Sequence, residues 1–228
     1  MKKKNVFTRL TPFELTLWIS SVTLTAAAFL ILQGGSVLEL IASLIGVTAL
    51  IFVAKGFVIG QVLTVVFACL YGIISFELRY YGEMITYLGM TAPIALLAAI
   101  EWLRNPYGKT REVKVRRLSA ATYIWLFISA AAVTLTFFFI LRALGNASIA
   151  VSTVSVTTSF LASALTFLRS PYYALAYSAN DAVLIILWSV AALKDISCIS
   201  MVICFACFLA NDLYGFFNWR RMQKRQNS

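Results

Sequence analysis

The sequence predicts an all-α membrane protein: about eight transmembrane helices built as a duplicated, parallel repeat. Three observations carry that reading. Eight apolar stretches are each long enough to cross a bilayer, which takes about 20 helical residues. The last four echo the first four about 110 residues later. Of the 228 residues 61% are hydrophobic and 12% charged, a balance that would leave a water-soluble fold with large apolar patches. Two matching halves in one membrane protein imply a binding site between them, exposed to each side in turn. Transport is therefore the leading expectation.

The spans read 13–33, 36–54, 57–76, 84–103, 119–141, 148–168, 171–193 and 196–218. The first follows Lys2, Lys3 and Lys4, as a signal peptide would. It is longer than a signal core, no small-x-small cleavage site follows it, and the fifth span echoes it, so it is expected to persist as a helix. That echo is the clearest one: residues 19–32 (ISSVTLTAAAFLIL) against 128–141 (ISAAAVTLTFFFIL). Further along, Lys55 matches Arg169 and Trp102 matches Trp219. Pro93 lies inside the fourth span, where it removes a backbone bond and predicts a kink. Pro171 opens the seventh, a position a helix tolerates. The single long polar connection is the basic loop 104–118. It divides one domain, 1–228, into repeat 1 (about 13–103) and repeat 2 (about 119–219). An even number of spans per half gives both halves the same orientation, with the repeat axis along the membrane normal.

The net charge of +10 is explained by its distribution. With both termini cytoplasmic, only Arg79, Arg142 and Lys194 of the 19 basic residues fall outside. That bias is the positive-inside rule. It calls for no nucleic-acid partner, and it favours anionic lipid headgroups nearby. Other classes lack their parts. There is no histidine, the usual base for serine or cysteine hydrolysis. Cys204-x-x-Cys207 has no second ligand pair, so no metal site is expected and no cofactor is implied. Walker and Rossmann glycine patterns are missing. An aspartyl enzyme using Asp181 and Asp212, or a non-catalytic scaffold, are the rivals to transport.

Polar side chains in hydrocarbon face a cavity or one another. On the seventh span Tyr177, Asn180, Asp181, Leu184 and Trp188 share one helical face. Asp181 is about ten residues in, roughly 15 Å deep and near the midplane. On the eighth, Asn211 and Tyr214 share a face with Asn218, while Asp212, Gly215 and Trp219 fall on the adjacent one. Headgroup-level anchoring is an equal alternative for Trp102 and Trp219. The third span carries Gln61, Thr64, Tyr71 and Ser75 on one stripe, readable as site or as packing. The sixth carries Ser152, Ser155, Ser159, Ser163 and Thr166, beside Thr153, Thr157 and Thr158. That stripe is read as close helix packing. Together Tyr177, Asn180, Asp181, Trp188, Asn211, Asp212, Tyr214, Gln61 and Tyr71 would make a pocket of amides, carboxyls and aromatic faces. It suits a flat ring carrying a sugar; a cationic ring would gain roughly 0.5–2 kcal/mol per aromatic contact.

Tyr177-x-x-Asn180-Asp181, then Leu187-Trp188, then Asn211-Asp212-x-Tyr214-Gly215-x-x-x-Trp219 resembles the PnuC family of nicotinamide riboside transporters. The resemblance covers nearly the whole chain. It implies two three-helix bundles in parallel orientation, spans 2–4 and 6–8. Span 5 would link them, and span 1 would be an additional N-terminal helix. It also implies homotrimers in the cell membrane and facilitated diffusion of nicotinamide riboside, made one-way by a cytoplasmic kinase that phosphorylates the substrate. Relatives in the wider family carry thiamine, riboflavin or deoxynucleosides, which are the alternative substrates. The first half departs from the pattern: counting back from Trp102, Ala95 and Leu97 stand where the family can carry Asn and Tyr.

Overall fold

The computed structural model describes residues 6–32, 36–145 and 149–228. Eight helices in it are long and apolar enough to cross a membrane. They are α1 (Pro12–Ile31), α2 (Val37–Ala54), α3 (Val58–Glu77), α4 (Tyr81–Arg104), α5 (Ala120–Ala143), α6 (Ile149–Phe167), α7 (Tyr173–Ala192) and α8 (Ile199–Asn227). Each expected span has its helix. The last runs past residue 218 because Arg220–Gln226 is built from good helix formers.

Helices α2–α4 form one three-helix bundle and α6–α8 the other, with α2 against α8 and α4 against α6 across the seam. Helix α5 links them at the periphery and buries only Leu126, Ala130 and Leu141. Helix α1 is fastened over the α2–α8 seam by polar bonds. Its N-cap Thr11 and Glu14 form a reciprocal capping box. Glu14 also bridges Lys55 at 3.1 Å and accepts from the Tyr214 hydroxyl at 2.6 Å. Trp18 donates to Thr48 (3.2 Å), and the Asn211 amide donates to Ser21 (3.0 Å).

Each bundle's first helix stops in the same way. After α2, Gly56 has φ 68° and the Phe57 N–H returns to the Phe52 carbonyl at 2.9 Å. After α6, Arg169 has φ 58° and the Ser170 N–H returns to the Leu165 carbonyl at 2.9 Å. Both are left-handed helix stops closed by a six-residue bond. The structural partner of Arg169 is therefore Gly56, one residue beyond the Lys55 expected from sequence. A left-handed arginine costs about 1–2 kcal/mol. Arg169 is held there by Glu101 at 3.3 Å and by its bond to the Lys114 carbonyl, also 3.3 Å.

Trp102 and Trp219 are fully buried, not headgroup anchors. Trp102 donates its indole N–H to the Thr166 carbonyl of α6 (3.0 Å). Trp219 donates to the Val53 carbonyl of α2 (2.9 Å). Each tryptophan thus closes the helix stop of the other half, and their rings meet 5.3 Å apart. This exchange puts the C-terminal ends of α2, α4 and α6 at one face of the protein with Trp219 of α8, as a parallel duplication requires. Pro93 acts through a π-helical turn rather than a plain kink. Residues Tyr87–Thr91 are wound with one extra residue, and the Ala92 N–H bonds back to the Tyr87 carbonyl. The widened turn accommodates the proline ring and its missing N–H.

Candidate functional site

The tryptophan exchange forms one aromatic layer, with Tyr173 packed on Trp219 at 4.8 Å. A second layer lies toward the opposite face. There Trp188 donates to the Tyr71 hydroxyl at 2.9 Å, and Phe67, Tyr87 and Phe205 pack around Tyr71. Between the layers is a cavity bounded by α2, α3, α4, α7 and α8.

Helical spacing decides who lines it. From α3 come Gln61, Thr64 and Phe67; from α4, at the π turn, Tyr87 and Thr91. From α7 come Tyr177, Asn180 and Asp181, and from α8, Phe208 and Asp212. Gly46 makes room on α2, since a Cβ there would meet the Phe208 ring at 2.4 Å. Asp181 and Asp212 are both buried and their carboxyls meet across the α7–α8 contact. Among the described residues no lysine or arginine lines the cavity. Asp181 Oδ2 has no hydrogen-bond partner among the described residues. Asn180 is aimed by α6: Ser155, Thr158 and Ser159 gather on its amide oxygen at 3.4, 2.9 and 2.9 Å. With the oxygen so occupied, the amide NH2 is left to donate elsewhere. Ser163 pairs with the Tyr177 hydroxyl at 3.3 Å. The serine stripe of α6 therefore packs against α7 and also orients two site residues.

Of the residues singled out from sequence, the structure gathers Gln61, Tyr177, Asn180, Asp181 and Asp212 on the cavity. Tyr71 and Trp188 bond to each other in the adjoining aromatic layer. Asn211 and Tyr214 turn the other way, onto α1. Phe67, Tyr87, Thr91 and Phe208 were not singled out. An aromatic or threonine in an apolar span carries no signal of its own, and only Thr91, two residues before Pro93, lay near one. Glu83 was also passed over. It is buried at the start of α4, just before the fourth span as read from sequence.

The cavity holds about 40 Å³, space for a water and little more. Ligand pockets run to about 300–1,000 Å³. In this conformation the space between the two aromatic layers is too small for such a ligand, and binding one requires the cavity to enlarge.

A family model described as nicotinamide mononucleotide transporter matches residues 36–221. The chain is 27% identical to the nicotinamide riboside transporter PnuC of Neisseria mucosa, across 99% of this chain and 87% of that protein. It is 23% identical to the protein of that name from Haemophilus influenzae, across 95% and 93%. A crystal structure of the vitamin B3 transporter PnuC superposes with a TM-score of 0.83 at 25% identity, covering 95% of this chain and 94% of that one.

Proposed function

This chain belongs to the nicotinamide mononucleotide transporter family, and on that premise we propose that it carries nicotinamide riboside across the cell membrane. One observation supports the riboside over the mononucleotide: the cavity brings two carboxyls together with no basic side chain on its wall among the described residues. A phosphate there would face Asp181 and Asp212 with nothing to balance its charge. The pyridinium of the riboside instead supplies the cation the carboxyls lack. Phe67, Tyr87 and Phe208 offer ring faces, each contact with a cationic ring contributing about 0.5–2 kcal/mol. The Asn180 NH2 and Gln61 suit the carboxamide or ribose hydroxyls. Once the site is enlarged, the two aromatic layers serve as alternate gates. The layer of Tyr71 and Trp188 opens to one side, that of Trp102 and Trp219 to the other.

Transport is by facilitated diffusion. Both termini and the basic loop face the cytoplasm, where phosphorylation by a kinase traps the substrate. The protein assembles as a homotrimer; α5, which exposes Trp125, Phe127 and Phe139, offers apolar surface for packing between copies. The cavity's acidity favours one alternative, a related ring cation such as thiamine, over neutral riboflavin or deoxynucleosides.

Flux into neutral proteoliposomes tests this. Saturable, gradient-independent exchange of nicotinamide riboside, with nicotinamide mononucleotide excluded, is the expected result. Preference for thiamine keeps the site and changes the substrate. Uphill accumulation that collapses with a proton gradient overturns passive transport.

A further inference from the structure

The face that carries both the basic loop and the C-terminus holds a second site of opposite character. Two adjoining clefts of about 410 and 400 Å³ open there, sharing Arg116, Arg117 and Asn227. Arg220 and Lys224 of α8 line the first; Lys114 and Arg169 line the second. Among the described residues no carboxylate lines either cleft. Among the described residues, only Arg169 of these six cations has an ion-pair partner, Glu101, while the nearby Glu112 is taken by Arg225.

The clefts are built rather than incidental. The loop strand is clamped from both sides: Val115 N–H donates to Gln226 at 2.7 Å, and Arg116 N–H donates to the Arg169 carbonyl at 3.0 Å. Arg220 is held by Gln223 at 3.0 Å and lies over the Tyr172 ring, 5.7 Å from its centre. Arg169 is buried with its Nε unpartnered. Burial pulls the Arg169 guanidinium below its usual range; Glu101 opposes that and the charge of Arg116 adds to it. An anion in the cleft relieves both strains. Two long helices also begin here. Leu118 and Tyr123 line the cleft at the start of α5, and Ser170, Pro171 and Tyr172 line it at the start of α7. Helix N-termini carry partial positive charge and attract phosphate, offset in part by the C-terminal end of α8, whose Asn227 lines both clefts.

We propose that this cleft binds a phosphate group, from an anionic lipid headgroup or from a soluble phosphate. Arginine forks suit phosphate oxygens bidentately, and fixed side chains hold them at low entropic cost.

The test uses the full chain in nanodiscs of phosphatidylcholine. One arm adds phosphatidylglycerol to the disc and counts retained lipid by native mass spectrometry. The other titrates inorganic phosphate and follows thermal unfolding. The cleft variant Arg116→Gln/Arg220→Gln is compared with Arg104→Gln/Lys109→Gln, which loses the same charge outside the cleft. Lys224→Gln serves if the first variant unfolds in neutral discs. The expected result is saturable binding in one arm, weakened at least about tenfold by the cleft variant and left within about twofold by the control. The responding arm names the source. Equal losses in both variants reduce the clefts to unspecific surface charge and overturn the proposal, as does no binding in either arm. None of these readings uses riboside flux, so the proposal stands or falls separately from the substrate assignment.

Discussion

The two halves share a scaffold and divide the chemistry. Thr64 and Phe67 of α3 stand at the same spacing from Tyr177 and Asn180 of α7 as Gly56 stands from Arg169. Thr91 and Ala95 of α4 stand at the same spacing from Phe208 and Asp212 of α8 as Trp102 stands from Trp219. What fastens the fold is matched in both halves. What faces the cavity is not: the first half supplies an amide, hydroxyls and rings, and the second supplies both carboxyls and the oriented Asn180. Duplication fixes geometry; recognition needs the copies to differ, because a ligand with a cationic ring at one end and a sugar at the other has no two-fold axis.

The largest effect should come from breaking that division at its charged side. Asp212→Asn is expected to lower riboside flux about 10- to 100-fold, the worth of a charge-assisted bond. Ala95→Ser at the matched place should leave flux within about twofold in the same proteoliposome assay. Comparable losses from both would put the chemistry in both halves. Next is Gly60, whose Cβ would lie 2.5 Å from the Val53 backbone nitrogen. Gly60→Ala should destabilise the protein by about 1–3 kcal/mol in detergent unfolding. The second half holds Tyr173 at that place, so the tight approach of α3 to α2 belongs to one half only. Smaller and symmetric, Trp102→Phe and Trp219→Phe should each cost about 1–2 kcal/mol. The double variant should cost less than the sum, because the two rings touch. Unequal single costs would show that the fastening is not shared. The smallest effect is expected at Ser159→Ala. It removes one of three hydroxyls on Asn180 and should raise the apparent KM about twofold without changing kcat.

Hydrophobic run length placed all eight spans, since a bilayer demands about 20 apolar residues whatever their order. Helical spacing likewise put Tyr177, Asn180 and Asp181 on one wall. It failed where a helix has two polar faces. Asn211 and Asp212 are neighbours in sequence, yet about 100° of rotation sends one to Ser21 of α1 and the other to the cavity. Nothing within α8 says which face meets α1. The cavity's aromatic side chains were hidden for a related reason: in an apolar span, Phe67 and Phe208 read the same whether they face lipid or ligand. The π turn was invisible because Pro93 announces a disturbance without naming its form. The structural match of Gly56 to Arg169 was obscured because an arginine occupies a conformation that glycine advertises.

The crossed tryptophans carry one more implication. Each half leaves a helix stop unfinished and brings the indole that finishes the other's. A single half meeting its own copy about a two-fold axis would satisfy both at once, as any isologous dimer does. The chain therefore has the form of a closed dimer whose subunits are covalently joined, with α5, peripheral and scarcely buried, as the connection between the two bundles.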